Sequence, residues 1–154
     1  MKLPHDWSEF FASLTSHRVR FLIVGAHALA AHGRPRATQD LDVWVEPTEA
    51  NASRLGAALG DFGFPGLARS WRRLARAERM VTLGVPPLQI DIMTSITGVA
   101  FRDAWRRRVT IRFGDHEVPF LCRADLVSNK QSTGRAKDLL DIELLKEASP
   151  RGRR

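Results

Sequence analysis

The chain reads as one α/β domain: a single mixed β-sheet flanked by helices. Three observations predict it. Apolar runs short enough for buried strands recur along the chain, amphipathic stretches of helical length alternate with them, and no linker is long enough to divide the 154 residues. A chain of this size can bury roughly 68–70% of the surface that its unfolded form exposes, so one core is expected. The predicted domain covers residues 1–149, and the basic tail 150–154 is expected to be disordered.

Asp6, with Glu9 three residues on, is the expected cap of a first helix that carries Trp7, Phe10, Phe11 and Leu14 on one face and ends near His17. Phe21-Leu22-Ile23-Val24 is a continuous apolar run stopped by Gly25, the signature of a buried strand. Ala26 to His32 then reads as a short alanine-rich helix closed by Gly33. From Asp40 to Glu46 the pattern alternates strictly. Leu41, Val43 and Val45 point one way and Asp40, Asp42 and Trp44 the other, as in a half-buried strand.

Thr48 is expected to cap a helix that runs to about Asp61, and Gly60 to Gly66 reads as a loop. Met80 to Val85 and Leu88 to Met93 are strand-like and expected to pair as neighbours. Phe101 to Arg108 forms a short amphipathic helix, and Val109–Phe113 with Glu117–Leu121 a hairpin about Gly114-Asp115. Two helices, Ala124 to Ser132 and Lys137 to Ala148, close the fold.

Composition narrows the setting. With 44% hydrophobic and 27% charged residues, neither a disordered nor a fibrous chain is indicated. There is no apolar run long enough to span a membrane and no leader-like start, so a cytoplasmic protein with no membrane partner is expected. Cys122, the single cysteine, rules out an internal disulfide and reads as a small buried apolar residue. The net charge of +7 concentrates at Arg69–Arg79, Arg106–Arg108 and Arg151–Arg154. That distribution suits a polyanionic partner, or simply solvated helix faces.

The chemistry gathers on three acids. Asp40-Leu41-Asp42 sets two carboxylates on one strand face, about 6.5–7 Å apart, where both can reach one metal ion. In Gln89-Ile90-Asp91-Ile92, Asp91 emerges opposite its apolar neighbours, so adjacency of the two strands would bring three carboxylates together. Clustered anions require compensation, which hard divalent cations with oxygen ligands provide. Mg²⁺ (or Mn²⁺) is the natural cofactor, and such ions bridge nucleotide phosphates. The turn at Gly25 and Ala26 offers backbone N–H groups to phosphate, and Arg36 and Thr38 can add a charge and a hydroxyl. His27 and His32 lie nearby, as nucleotide contacts or as packing residues, and Trp44 stacks on a base or fills the sheet face.

The order and spacing of these elements resemble the minimal nucleotidyltransferases of the DNA polymerase β-type superfamily, in which an apolar strand and Gly-[Gly/Ser] precede Asp-x-[Asp/Glu] on a second strand. Here Phe21 to Ala26 is followed by thirteen residues and then Asp40-Leu41-Asp42-Val43. The run from Val24 through His32-Gly33-Arg34-Pro35-Arg36-Ala37-Thr38 to Asp42 is similar to the small prokaryotic branch related to abortive-infection and toxin–antitoxin nucleotidyltransferases. Gln89 to Gly98 and Leu126 to Asp141 fit the same branch, so the resemblance covers nearly the whole chain.

The resemblance implies a nucleotidyltransferase fold and transfer of a nucleoside monophosphate from an NTP to a hydroxyl on RNA (tRNA included), a protein or a small molecule. It also implies a cognate toxin or antitoxin partner. By it Asp40 and Asp42 are metal ligands, and Asp91 is the third acid, which activates the acceptor hydroxyl. Gly25 and Ala26 lie under the triphosphate. Lys130 and Lys137 face phosphate, although Lys137 also stands four residues before Asp141, a spacing that suits an ion pair. Ala26 departs from the pattern: it keeps the N–H but adds a methyl where a glycine or serine is usual. A catalytically inactive nucleotide- or partner-binding module of the same fold is the alternative, and a metal nuclease would explain neither Gly25 nor its distance from Asp40.

Overall fold

The computed structural model describes residues 3–33 and 40–147. Along these the order is α1 (His5–Ser16), β1 (Phe21–Val24), α2 (Gly25–Ala31), β2 (Asp40–Val45), α3 (Glu49–Phe62) and α4 (Pro65–Arg69). A 3₁₀ turn (Trp71–Ala75) leads to β3 (Met80–Leu83), β4 (Gln89–Met93), α5 (Phe101–Arg106), β5 (Val109–Phe113) and β6 (His116–Phe120). Two helices, α6 (Arg123–Thr133) and α7 (Ala136–Glu147), finish the fold. The tail 150–154 lies outside the described residues, as do Arg36 and Thr38. Among the described residues no helix is long and apolar enough to cross a membrane.

The described strands form one mixed six-stranded sheet in the order β3-β4-β2-β1-β6-β5. The expected α/β architecture with a single mixed sheet between helices is the one observed. β1 and β2 run antiparallel, β2 and β4 parallel, and the two expected strand pairs, β3 with β4 and β5 with β6, are antiparallel neighbours.

The alternation of β2 sorts the two faces. Leu41, Val43 and Val45 are fully buried on the face that α1 covers, where Phe11 stacks on Phe21, the cross-strand partner of Val45. Asp40, Asp42 and Trp44 look the other way. There Trp44 is only 1% exposed, capped edge-on by Phe101 of α5 at 5.0 Å. It fills the sheet face instead of offering a stacking surface.

Helix starts and stops follow local chemistry with two exceptions. Thr48 caps α3 by accepting a hydrogen bond from the Asn51 N–H at 3.2 Å, and Gly63 ends the helix in the left-handed region with φ of 109°. Asp6 does not cap α1. The helix begins one residue earlier, with Pro4 at its N-cap and no side-chain cap, because proline presets the turn and leaves Asp6 in the first helical turn. Cys122 is not a buried filler either: it is half-buried at the N-cap of α6, where its Sγ accepts from the Asp125 N–H at 3.4 Å.

The stretch expected to be a loop from Gly60 to Gly66 is partly helical. Gly60 belongs to α3, and Pro65 opens α4 at its first position, a site that needs no N–H. The basic segment folds over α3 because Gly56 leaves room for Trp71: a Cβ at position 56 would come within 2.6 Å of the Trp71 Cβ.

Asn51 was not singled out in the sequence, yet it is fully buried and ties β1 to β2. Its Oδ1 accepts from the Arg20 N–H at 2.7 Å, and its Nδ2 donates to the carbonyls of Arg20 at 3.0 Å and Glu46 at 3.1 Å. Asn51→Ala strands these backbone groups in the interior, at an expected cost of about 2 kcal/mol. Urea unfolding measures it, and an unchanged midpoint would mean that the Arg20 amide finds another acceptor.

Candidate active site

Strand register assembles the acids. Asp42 pairs with Val24 on one side and with Asp91 on the other, while Asp40 pairs with Gln89. The adjacency that the sequence left conditional therefore exists: three carboxylates share one face of β2 and β4. Just beyond Val24 the chain turns at Gly25, whose φ of +69° is left-handed. A Cβ at that position would fall against the Asp42 carboxylate, so only glycine lets the turn pass so close.

Asp91 is 6% exposed and firmly held. Thr82, its cross-strand partner on β3, donates to Oδ1 at 2.8 Å, and the Gln89 amide donates to the same oxygen at 3.0 Å. The sequence pattern did not single out Thr82, whose place depends on the β3–β4 register. Asp42 has the opposite character. Burial first, and the charges of Asp91 and Asp40 next, push its carboxyl up to about 6 against a partial offset from Lys130 and Lys137. The face thus carries a negative charge that a cation would relieve.

Asp40 and Asp42 open onto a cavity of about 480 Å³ whose floor also includes Gly25 and Ala26 and whose far wall comes from α6 and α7, while Asp91 lies buried beside Asp42 and does not line it. Lys130 and Lys137 both line it. Lys130 nevertheless has partners of its own: 9% exposed, its ammonium lies 3.4 Å from Asp138 and 3.0 Å from Asp141. Asp141, the expected helical partner of Lys137, is thus engaged by Lys130, and Lys137 is exposed at the rim.

Asp138 also accepts from Thr133 at 2.5 Å and from Arg135 at 2.6 Å. Burial alone would raise its carboxyl, but these hydrogen bonds and the Lys130 charge override it and hold the group at about 2. Asn129 closes the upper rim by donating to the Thr97 carbonyl at 2.9 Å. Thr133, Arg135 and Asp138 lie within a segment the sequence singled out, but nothing in the local pattern marked them as one cluster.

Both histidines near the site are packing residues. His27 sits edge-on to Trp7 at 5.2 Å and beside Phe113 at 5.6 Å, where burial lowers its pKa. His32 is buried and donates from Nε2 to the Leu121 carbonyl at 2.8 Å. The Arg106–Arg108 run is likewise engaged within the fold. Arg106 pairs with Asp103 at 2.8 Å, Arg107 binds Asp125 through two nitrogens at 2.9 and 3.1 Å, and Arg108 lies 3.9 Å over the Trp105 ring.

Among the described residues no three His, Cys, Asp or Glu side chains form a ready-made metal cage. The donor set fits an ion that brings ligands with it. Mg²⁺ keeps several waters and is usually held by one or two carboxylates together with substrate phosphates. The oxygen donors Asp40 and Asp42, the repulsion felt by Asp42 and the open cavity beside Gly25 all suit that mode.

No family model matches the chain, and no curated protein matches it. Among solved structures, its fold is similar to the crystal structure of a "putative nucleotidyltransferase" from Thermotoga maritima, with a TM-score of 0.54 and 13% sequence identity. The match covers 92% of this chain and 88% of that one, so the likeness is to a whole fold.

Proposed function

We propose that the protein transfers a nucleoside monophosphate from an NTP to a hydroxyl acceptor, with Mg²⁺ or Mn²⁺ held by Asp40 and Asp42 and completed by Asp91. The observation that carries this reading is the register that sets Asp42 against Asp91 on one side and beside the left-handed turn at Gly25 on the other. A nucleotide needs both features: oxygen ligands for its metal and a backbone turn without a side chain under its phosphates.

The ion, when bound, neutralises charge that develops on the phosphoryl oxygens. The chain's own residues do the rest. Backbone N–H groups at Gly25 and Ala26 orient the triphosphate, and Lys130 and Lys137 add positive charge from across the cavity. The acceptor oxygen forms a bond to the α-phosphorus as the bond from that phosphorus to the β-bridging oxygen breaks, and pyrophosphate leaves. Asp91 takes the acceptor's proton, with Thr82 and Gln89 fixing its carboxylate.

The acceptor is RNA, a protein or a small molecule, and the sequence resemblance favours a place in a toxin–antitoxin or phage-defence pair. Ala26 specifically favours the second reading, a nucleotide- or partner-binding module without turnover. It lines the cavity with a methyl where a hydroxyl or a bare backbone would serve phosphate better. Incubating the protein with each α-labelled NTP, Mg²⁺, and cellular RNA or protein separates the two. Label is expected on RNA or protein, or, with a small-molecule acceptor, pyrophosphate is released when a cell extract is added. Tight NTP binding without transfer would leave the module, and neither binding nor transfer would remove both.

A further inference from the structure

Lys130 presents an electrostatic problem. A lysine ammonium on a flexible four-carbon stem, lining the same cavity as the carboxylates of Asp40 and Asp42, is drawn toward them. Coupled to Asp42 in that way, it would occupy the place of the cation that the acids are arranged to hold. In the structure it does not do so, because α7 offers it two other carboxylates one turn apart, Asp141 at 3.0 Å and Asp138 at 3.4 Å. Asp138 cannot swing with it, being fixed by Thr133 and Arg135.

An ammonium has three donors, so two carboxylate partners leave one for the cavity that Lys130 lines. A tie between α6 and α7 alone would not call for this arrangement, since apolar residues of similar volume usually stabilise a buried contact as well or better. The position of the cluster, in the wall of the cavity that holds Asp40 and Asp42, is what a purely structural pair does not explain.

We propose that Asp138 and Asp141 are positioning residues, which hold the Lys130 ammonium where it meets the phosphates of an incoming nucleotide and keep it off the metal-binding carboxylates. This rests on the nucleotidyl-transfer reading above and adds to it how the phosphate-facing charge is kept apart from the acids. It gives Asp141 an effect on metal affinity although Asp141 is not a ligand.

Mn²⁺ binding, followed by calorimetry on the full chain without nucleotide, tests it. Asp141→Asn is expected to weaken Mn²⁺ binding about tenfold, the lower end for residues that orient a metal site, because the loosened ammonium competes for the acids. Lys130→Met alone should bind Mn²⁺ at least as well as wild type. In the Lys130→Met background, Asp141→Asn should have no effect on Mn²⁺. With a non-hydrolysable ATP analogue added, Lys130→Met should weaken nucleotide binding about tenfold whether or not Asp141 is intact.

A structural role for Asp141 predicts a loss that persists in the Lys130→Met background, and that outcome overturns the proposal. Weakened Mn²⁺ binding by Lys130→Met alone overturns it as well, and that variant needs no folded Asp141→Asn protein for comparison. If wild type binds both Mn²⁺ and the analogue while these patterns fail, the positioning role falls and the transferase reading stands. If wild type binds neither, both fall.

Discussion

Gly25→Ala is expected to weaken binding of Mg²⁺ with a non-hydrolysable NTP analogue by at least about 100-fold, equivalent to about 2.7 kcal/mol. It should lower stability by only about 2 kcal/mol. The first part of the stability cost is conformational: at φ of +69° an L-residue with a Cβ loses roughly 1–2 kcal/mol relative to glycine. The second part is local crowding. The new methyl would overlap the Asp42 carboxylate and also stand 3.0 Å from Asp42 Cγ and 3.1 Å from its Cβ. Turning the carboxylate away relieves only its oxygen, so β1 and β2 must also part slightly where Val24 faces Asp42. The fold can absorb this, but the metal ligand is then displaced and the phosphate turn is filled by the same substitution. Thermal unfolding with calorimetry checks both parts. Wild-type nucleotide affinity in a folded Gly25→Ala protein would mean that phosphate does not pass over this turn.

The elements that carry the site were legible because each has a strong local pattern. β1 is an apolar run ended by glycine, and in β2 the alternation that sorts Leu41 and Val43 from Asp40 and Asp42 is the alternation of the pleat itself. Asp91 stood out by the same logic, as an acid between two isoleucines that are both buried in β4. What could not be read depends on contacts between elements. α4 is hidden in glycine- and proline-rich sequence, and the turn after it is fixed by Trp71 seating on Gly56. Local helical spacing offers Asp141 to Lys137, whereas the packing of α6 on α7 brings in Lys130, a residue eleven positions away in sequence. The same holds for the arginine run. Its charge suggests a polyanion, but Asp125, which takes up Arg107, lies on a different helix. Cys122 was misread because its role is local yet rare, a sulfur accepting a helix N–H where a serine or aspartate would be usual.

In the metal-free protein, Asp42→Asn is expected to raise stability at neutral pH and to leave it unchanged near pH 4. The Asp42 carboxyl has a folded-state value of about 6 against an ordinary 3.8, raised by burial first and by Asp91 and Asp40 next. Between those two values the folded protein binds more protons than the unfolded chain, so this group makes stability fall as pH rises from about 4 to about 6 and leaves it lower above that. The full shift corresponds to roughly 3 kcal/mol, and because Asp42 remains partly open to water, screening reduces the expected gain to about 1–2 kcal/mol. Asparagine keeps the shape and removes the charge, so it recovers that amount above pH 6 and nothing below 4. Asp138 works in the opposite direction. Held at about 2, it contributes stability above its unfolded value that is lost as pH falls toward 2, equally in wild type and variant. The difference between the two proteins therefore isolates Asp42. Urea unfolding of both from pH 4 to pH 8 in the presence of a chelator measures it. Mg²⁺ with NTP should then stabilise wild type and leave the variant almost unmoved, since only the wild-type fold gains a ligand. A variant several kcal/mol less stable than wild type at pH 7, or a difference that does not vary with pH, would make Asp42 a structural hydrogen-bond acceptor and take the centre out of the proposed metal site.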